Sequence, residues 1–188
     1  MTITKFYAAK HGVGCSTVAA LYALRHPGRT LLVDAASTHD LPAILGLPNI
    51  EVGEPHTLSE HLDVVVADEV LQIPDDAHYN HVVIDCGTND DVVGANVILV
   101  TDLSYVSLRR AIGSPYLEQC TPRGIVLVTE TGRALTDNDV EACTGLTVLA
   151  RIPRDPVIAR ATDAGLLVAR SPQVASALDA VRSEVSHG

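Results

Sequence analysis

Short, uninterrupted apolar runs recur along this chain, each ended by glycine, proline or an acidic residue, with segments of helical spacing between them. "TITKFYAA" (2–9) reads as a strand entering the glycine loop "KHGVG", and "CSTVAALYALRH" (15–26) as a helix with apolar positions on more than one face. "HPGRT" closes that helix. "TLLVDA" (30–35) is then a short buried strand, and "DLPAILGL" (40–47) a brief helix before a proline break. Between Pro48 and Pro74 the pattern is less regular: "LSEHL" reads as one helical turn or two and "VVVADEVLQIP" as one or two strands separated by acidic residues. "HVVIDCG" (81–87), "NVILVTD" (96–102) and "GIVLVTE" (124–130) are continuous apolar runs, as strands buried on both faces require. "SLRRAIGSPYLEQC" is the clearest helical segment between them. "LTVLARIP" (146–153) predicts a last strand, followed by helices over about 155–164 and 172–186.

Strand and helix alternate from end to end, with no internal repeat or low-complexity stretch. This predicts a single domain over 1–188 of the α/β class, a doubly wound, mostly parallel sheet with helices on both faces. Ligands of such sheets sit at the carboxyl ends of the strands. The unusual residues of this chain collect there, at 10–17, 34–40 and 85–89.

Composition sharpens this picture. Apolar residues make up 47% and aromatics 3%, so Val, Leu, Ile and Ala must build the core, which favours a helix-covered parallel sheet. The formal charge of −10 excludes a surface uniformly attractive to nucleic acid or anionic lipid. The cysteines at 15, 86, 120 and 143 are widely spaced without a CxxC pair, which points to reduced thiols and a cytoplasmic location. His78 and His81 have no Cys or carboxylate grouping at ligand spacing, so no protein-only metal centre is expected there. No apolar run approaches membrane-spanning length.

The loop "KHGVGCST" has the makings of a phosphate site. Gly12 and Gly14 allow a tight path around Val13, so that successive backbone N–H groups and a helix start can converge on an anion. Ser16 or Thr17 supplies a hydroxyl of the kind that coordinates Mg²⁺. The loop resembles the deviant Walker A motif K-G-G-x-G-K-[ST]-T of the ParA and MinD family of partitioning and positioning ATPases. The resemblance covers essentially the whole chain. "TLLVDAASTHDLPAILGLP" is similar to the family's V-L-L-V-D-x-D-P-Q-G-D-L segment, and "HVVIDCGT" to its Walker B strand. "VILVTDLSYVSLRRA" and "VLARIPRDPVIARATDAG" resemble its later nucleotide-base and C-terminal segments.

By that resemblance residues 10–17 bind ATP or ADP, and Lys10 is the signature lysine that reaches a partner's phosphates across a nucleotide-sandwich homodimer. Ser16 is the magnesium ligand, while Asp34 and Asp85 orient magnesium-bound water. Without the resemblance, either aspartate reads as a cap for the turn or helix that follows it. His11 and Cys15 depart from the motif. Cys15 replaces the lysine that neutralises the β- and γ-phosphates, and Ala36 replaces the second aspartate of D-x-D, so ATP hydrolysis is expected to be very slow or absent. Cys15 reads as a small buried neutral thiol; a thiolate favoured by the helix start, or a redox pair with Cys86, are the alternatives.

MinD-like proteins end in a basic amphipathic membrane helix. The stripe Val174, Ala177, Leu178, Val181 and Val185 is faced instead by Asp179 and Glu184, so 172–186 is expected to dock on the core rather than on a membrane. ParA-like binding of nonspecific DNA would draw on Arg109, Arg110, Arg151, Arg154, Arg160 and Arg170, residues that equally suit solvated helix ends and salt bridges. The first strand begins almost at Met1, so no N-terminal helix-turn-helix is expected, as in a minimal family member. Two functions follow from the resemblance. One is a partitioning or positioning protein, dimeric through adenine nucleotide, with a partner protein that sets position or stimulates turnover. The other is a nucleotide-free pseudo-ATPase scaffold of the TadZ type.

Overall fold

Thr2–Tyr7 (β1) sends successive side chains into different layers. Phe6 joins an apolar cluster with Val18, Leu21 and Tyr22, whereas Tyr7 joins another with Leu99, Leu108 and Leu127. Both faces of the strand are covered, which is why its sequence is apolar without alternation. This computed structural model describes residues 1–68, 78–89, 96–120 and 122–170.

From β1 the chain passes through α1 (Cys15–Arg25), β2 (Thr30–Asp34), α2 (Leu41–Leu45), β3 (His56–Ser59), β4 (Leu62–Val66), β5 (His81–Asp85) and β6 (Val97–Asp102). It continues through α3 (Tyr105–Ile112), α4 (Pro115–Gln119), β7 (Gly124–Thr129), α5 (Asp137–Thr144), β8 (Val148–Pro153), α6 (Pro156–Asp163) and α7 (Leu167–Arg170). Among the described residues the strands form one eight-stranded sheet in the order β3-β4-β2-β5-β1-β6-β7-β8. The β3–β4 pair at one edge is antiparallel, and the other neighbours run parallel. The mostly parallel, doubly wound class is therefore the observed one. From β1 the chain winds out to β2 and β4, returns to β5, then crosses β1 to reach β6. That reversal opens a crevice at the carboxyl ends beside β1, where such folds bind ligands.

Helix α1 fills the layer above this crevice. Ala19, Ala20 and Leu21 are fully buried, and Val18, Tyr22 and Ala23 nearly so. Its small residues permit close approach to β1, β2 and β5, and each fully buried Val or Leu in the layer contributes about 1.5–3 kcal/mol. It ends where Pro27 forces His26 into extended backbone (φ −70°, ψ 132°).

Two local expectations are corrected. "LSEHL" is not helical: Leu58 and Ser59 belong to β3, Glu60 and His61 turn, and Leu62 opens β4. The four-residue spacing of Leu58 and Leu62 imitates one helical turn, but each leucine serves a different strand. "SLRRAIGSPYLEQC" is two helices, because the Ser114 hydroxyl accepts the Tyr116 N–H and Pro115 takes the first position of α4. The break lets Tyr116 stack on Tyr7, with ring centroids 4.0 Å apart, while Tyr7 Oη and Ser114 Oγ share a hydrogen bond of 2.7 Å. The helix expected over 172–186 and any strand within 70–74 lie outside the described residues. No helix among the described residues is long and apolar enough to cross a membrane.

Gly46 and Gly165 both take left-handed backbone, φ +74° and +66°, where the α2 end meets the α6–α7 turn. A Cβ on Gly46 would stand 2.3 Å from the Gly165 carbonyl oxygen, whereas one on Gly145 (φ +70°) would meet nothing within 4 Å. Gly145→Ala should therefore cost about 1 kcal/mol of backbone strain. Gly46→Ala should cost about 2 kcal/mol more from overlap, measured by urea denaturation. Equal losses would contradict the close approach.

At the amino end of the sheet His81 stacks on His26, with centroids 4.2 Å apart, and its Nε2 has no hydrogen-bond partner. Burial, the neighbouring His26 and the N-terminal amine push its imidazole down from 6.5 to about 4. The folded state thus holds His81 neutral, while the unfolded chain takes up a proton near 6.5. Stability from this residue is lost as pH falls from about 6.5 towards about 4. His81→Phe should flatten the fall in denaturation midpoint across that window, and an unchanged slope would contradict the assignment.

Candidate functional site

Loop 8–14 leaves β1 and turns through Gly12 (φ +76°) and Gly14 (φ +100°), left-handed values that a side chain would strain. Gly14 caps α1 without any side-chain hydrogen bond, and no acidic residue lies in the helix's first turn. The first-turn N–H groups therefore have no intrahelical acceptor and no carboxylate from their own turn, which leaves a positive helix end that suits an anion. Above it lies a cavity of about 470 Å³, lined by Lys10, His11, Gly12, Gly14, Cys15, Ser16 and Thr17 from the loop and helix. Ala36, Ser37, Thr38 and Asp40 after β2, Ile44 of α2, and Gly87 and Thr88 after β5 complete the wall. The structure thus brings together the three strand-end segments singled out in the sequence. Val13 is the exception in the loop, since its side chain is buried in the core beneath.

In-register pairing of β2 and β5 sets Asp34 opposite Asp85. Both are fully buried. Burial pushes Asp34 up to about 6, against hydrogen bonds from Leu41 N and Ala36 N (3.0 and 3.3 Å). Both of its oxygens thus accept backbone donors, which is the capping role open to it from sequence. Burial likewise raises Asp85, opposed by the Ser16 hydroxyl, the Gly87 N–H (3.0 Å to Oδ1) and the Cys15 thiol. Although Ser16 and Cys15 lie against this carboxylate, Asp85 Oδ2 has no hydrogen-bond partner of good geometry. An orphaned, buried carboxylate oxygen beside a hydroxyl is an oxygen-only donor set, of the kind a hard divalent cation takes. The residues present therefore fit Mg²⁺, with Ser16 and Asp85 best disposed to hold it and Asp34 behind them.

Cys15 is 7% exposed. Burial, Asp85 and Cys86 raise its pKa well above the ordinary value, so it is a neutral thiol and brings no charge to the cavity. Ala36 is buried, and a Cβ on Gly87 (φ +54°) would come within 2.8 Å of the Ala36 Cβ. The small residue at 36 thus matches the close passage of the loop after β5. Lys10 lines the cavity, but its Nζ lies 4.0 Å from Asp102 Oδ2 at the end of β6, with Arg154 3.8 Å from the same oxygen. Burial pushes Asp102 up, but hydrogen bonds with Ser104 and Ser107 and the charge of Lys10 hold it below the usual carboxylate range.

Sequence reasoning missed three participants. His39 adopts left-handed backbone (φ +49°), bonds Asp68 (3.2 Å) and sets Nδ1 3.8 Å from Asp34, too far for a hydrogen bond. Thr88 meets His11 across the cavity, and Asp102 holds Lys10. Each is a contact between distant segments that no local pattern announces. A second groove of about 360 Å³ shares Gly12, Gly14 and Thr17 with the first, and is walled by Val128, Ile152, Pro153 and Ile158. Of the six arginines considered for DNA binding, Arg151 pairs with Asp137 and Arg154 approaches Asp102, while Arg109 and Arg110 stand exposed on α3. Arg160 and Arg170 lie in the last turns of α6 and α7. No group of three or more metal-binding side chains forms a protein-only cluster among the described residues.

No protein-family model matches the sequence, and no curated protein matches it. Solved structures do. MinD of Aquifex aeolicus, in a MinC:MinD cell division complex, superposes with a TM-score of 0.80 at 16% identity, covering 100% of this chain and 96% of that one. A ParA family ATPase from Chlorobium tepidum gives 0.76 at 21% identity, covering 95% and 98%. The septum site-determining protein MinD of Pyrococcus horikoshii, complexed with Mg-ADP, gives 0.73 at 20% identity, covering 98% and 96%. The chain has the ParA/MinD-like P-loop fold.

The burial of Cys15, Cys86 and Cys120 against the exposure of Cys143 makes a direct prediction. A thiol-exchange reagent should label only Cys143 promptly in the native protein, and all four cysteines after denaturation. Prompt native labelling of Cys15 would contradict the neutral buried thiol.

Proposed function

We propose that this chain is a single ParA/MinD-like domain that binds a magnesium–adenine nucleotide at the β1–α1 loop. It dimerises through that nucleotide and acts in partitioning or spatial positioning with very slow hydrolysis. The observation that carries the reading is the orphaned Asp85 Oδ2 beside Ser16, at a helix start whose own first turn holds no acidic residue. Two adjoining cavities add to it. One is lined by loop and hydroxyl groups and the other by apolar side chains, and they meet over Gly12 and Gly14, as a polyphosphate with a planar base would need. The Mg-ADP complex of the Pyrococcus MinD and the MinC complex of the Aquifex protein make magnesium nucleotide and a partner protein the natural ligands to test.

In this reading the first-turn N–H groups of α1 grip the phosphates, Ser16 and Asp85 hold the cation, and Asp34 keeps the 36–41 turn in place through its two backbone bonds. Bound magnesium would offset phosphate charge and orient water. Phosphoryl transfer is mostly positioning and charge stabilisation. A neutral thiol at 15 and a methyl at 36 therefore withhold several kcal/mol of barrier lowering, or orders of magnitude in rate. The scaffold reading, in which no nucleotide binds, is favoured by the pairing of Lys10 with Asp102, which satisfies the lysine within one chain.

Titration with fluorescent ATP and ADP separates the two. Saturable binding that weakens when magnesium is chelated, and tightens about tenfold in Cys15→Lys, is expected. No binding at millimolar nucleotide would favour the scaffold. Magnesium-dependent turnover near 1 s⁻¹ or faster, abolished by Asp85→Ala, would contradict slow hydrolysis.

A further inference from the structure

The wall of the phosphate-sized cavity carries two nitrogen-bearing side chains, Lys10 and His11, and one carboxylate, Asp40. Cys15, at the head of α1, is buried, and Lys10 is drawn towards Asp102. That leaves His11 as the other nitrogen-bearing side chain on the described wall. Its Nε2 hydrogen-bonds Thr88 Oγ1 at 3.0 Å, joining the loop after β1 to the loop after β5 across 77 residues of sequence. Both residues line the cavity, so this bond runs along its rim rather than beneath its floor. His11 is exposed and immediately precedes Gly12, whose left-handed backbone sets the direction of the loop. Thr88 follows Gly87, likewise left-handed, which brings it over the end of β5 next to Asp85.

We propose that the His11–Thr88 hydrogen bond is a latch on the phosphate cavity. On binding, a terminal phosphate oxygen takes the place of Thr88 as partner of His11 Nε2, so that His11 supplies part of the grip that a lysine at position 15 would have given. The inference rests on the phosphate-binding reading above and assigns this chain's own side chains within it. With the ring in its Nε2–H tautomer, a hydroxyl oxygen acceptor gives way to a phosphate oxygen, and the new bond gains from the charge of its acceptor. Thr88 and His11 thus pull in opposite directions. Thr88 competes with the ligand for the same nitrogen, and His11 is the group competed for.

The test is tripolyphosphate and fluorescent ADP binding, each with Mg²⁺, to the full chain and to His11→Ala, His11→Gln and Thr88→Val. Thr88→Val keeps the shape and removes the competing hydroxyl. His11→Ala should weaken both probes about tenfold, and Thr88→Val should tighten both severalfold. His11→Gln, which keeps a side-chain N–H, should fall between wild type and His11→Ala. The His11 ring resonances in an NMR titration should shift on adding tripolyphosphate, a readout that needs no base recognition and no turnover. If wild type binds the probes and His11→Ala binds them equally, the latch is refuted while the nucleotide site stands. If Thr88→Val weakens binding as much as His11→Ala, the bond positions the loop and competition is refuted. If no variant binds either probe and the ring resonances stay fixed, the nucleotide reading and the latch fall together. Circular dichroism of each variant distinguishes these results from loss of fold.

Discussion

The in-register parallel pairing of β2, β5 and β1 is the constraint on which the site depends. It places Asp34 opposite Asp85, and Asp85 opposite Phe6, at one level along the sheet. Slipping β5 by one residue would exchange Asp85 for Cys86 and send the carboxylate into the other apolar layer. Such a slip is opposed by the whole strand, because Val82 and Val83 are completely buried and face different clusters. The same apolar pattern that makes the core therefore fixes where the two carboxylates lie.

What results is a strand end with its charges poorly compensated from within. Burial raises both carboxylates, and Asp85 keeps an oxygen without a partner. Opposite them stands the positive end of α1, which has no acidic residue in its own first turn. An anion alone would be repelled by the carboxylates and a cation alone by the helix end, whereas the two together answer both. A lysine at position 15 would lessen the dependence on a metal by supplying a fixed charge. Under the proposed function, the neutral thiol there would make binding depend more heavily on a cation and an anion arriving as a pair, an electrostatic argument for magnesium nucleotide over bare phosphate. Lys10, held by Asp102 beside Arg154, is positioned at the edge of this arrangement and away from its centre.

Much of this was legible in the residues themselves. The strands buried on both faces declare themselves as unbroken apolar runs, and β1, β2, β5, β6, β7 and β8 fall within a residue or two of where those runs lie. The loop was legible because only glycine takes the left-handed turns at 12 and 14 cheaply. The β3 edge strand was not, since it half-buries only alternate residues and Leu58 and Leu62 mimic helical spacing, whereas the apolar run at 64–66 did mark β4. The α3–α4 break could have been read from Ser114-Pro115, a capping residue followed by a first-turn proline. Thr88, His39 and Asp102 could not, because their roles arise from contacts between strand ends that adjoin only once the sheet has formed.

The most direct test of the account is a crystal structure of the full chain grown with Mg²⁺ and a non-hydrolysable ATP analogue. The account requires phosphate density against the first turn of α1, with the cation in contact with Ser16 Oγ and Asp85 Oδ2. Well-ordered density for loop 10–17 and Asp85 at saturating analogue, with the cavity closed by the protein's own side chains and no phosphate in it, would contradict it.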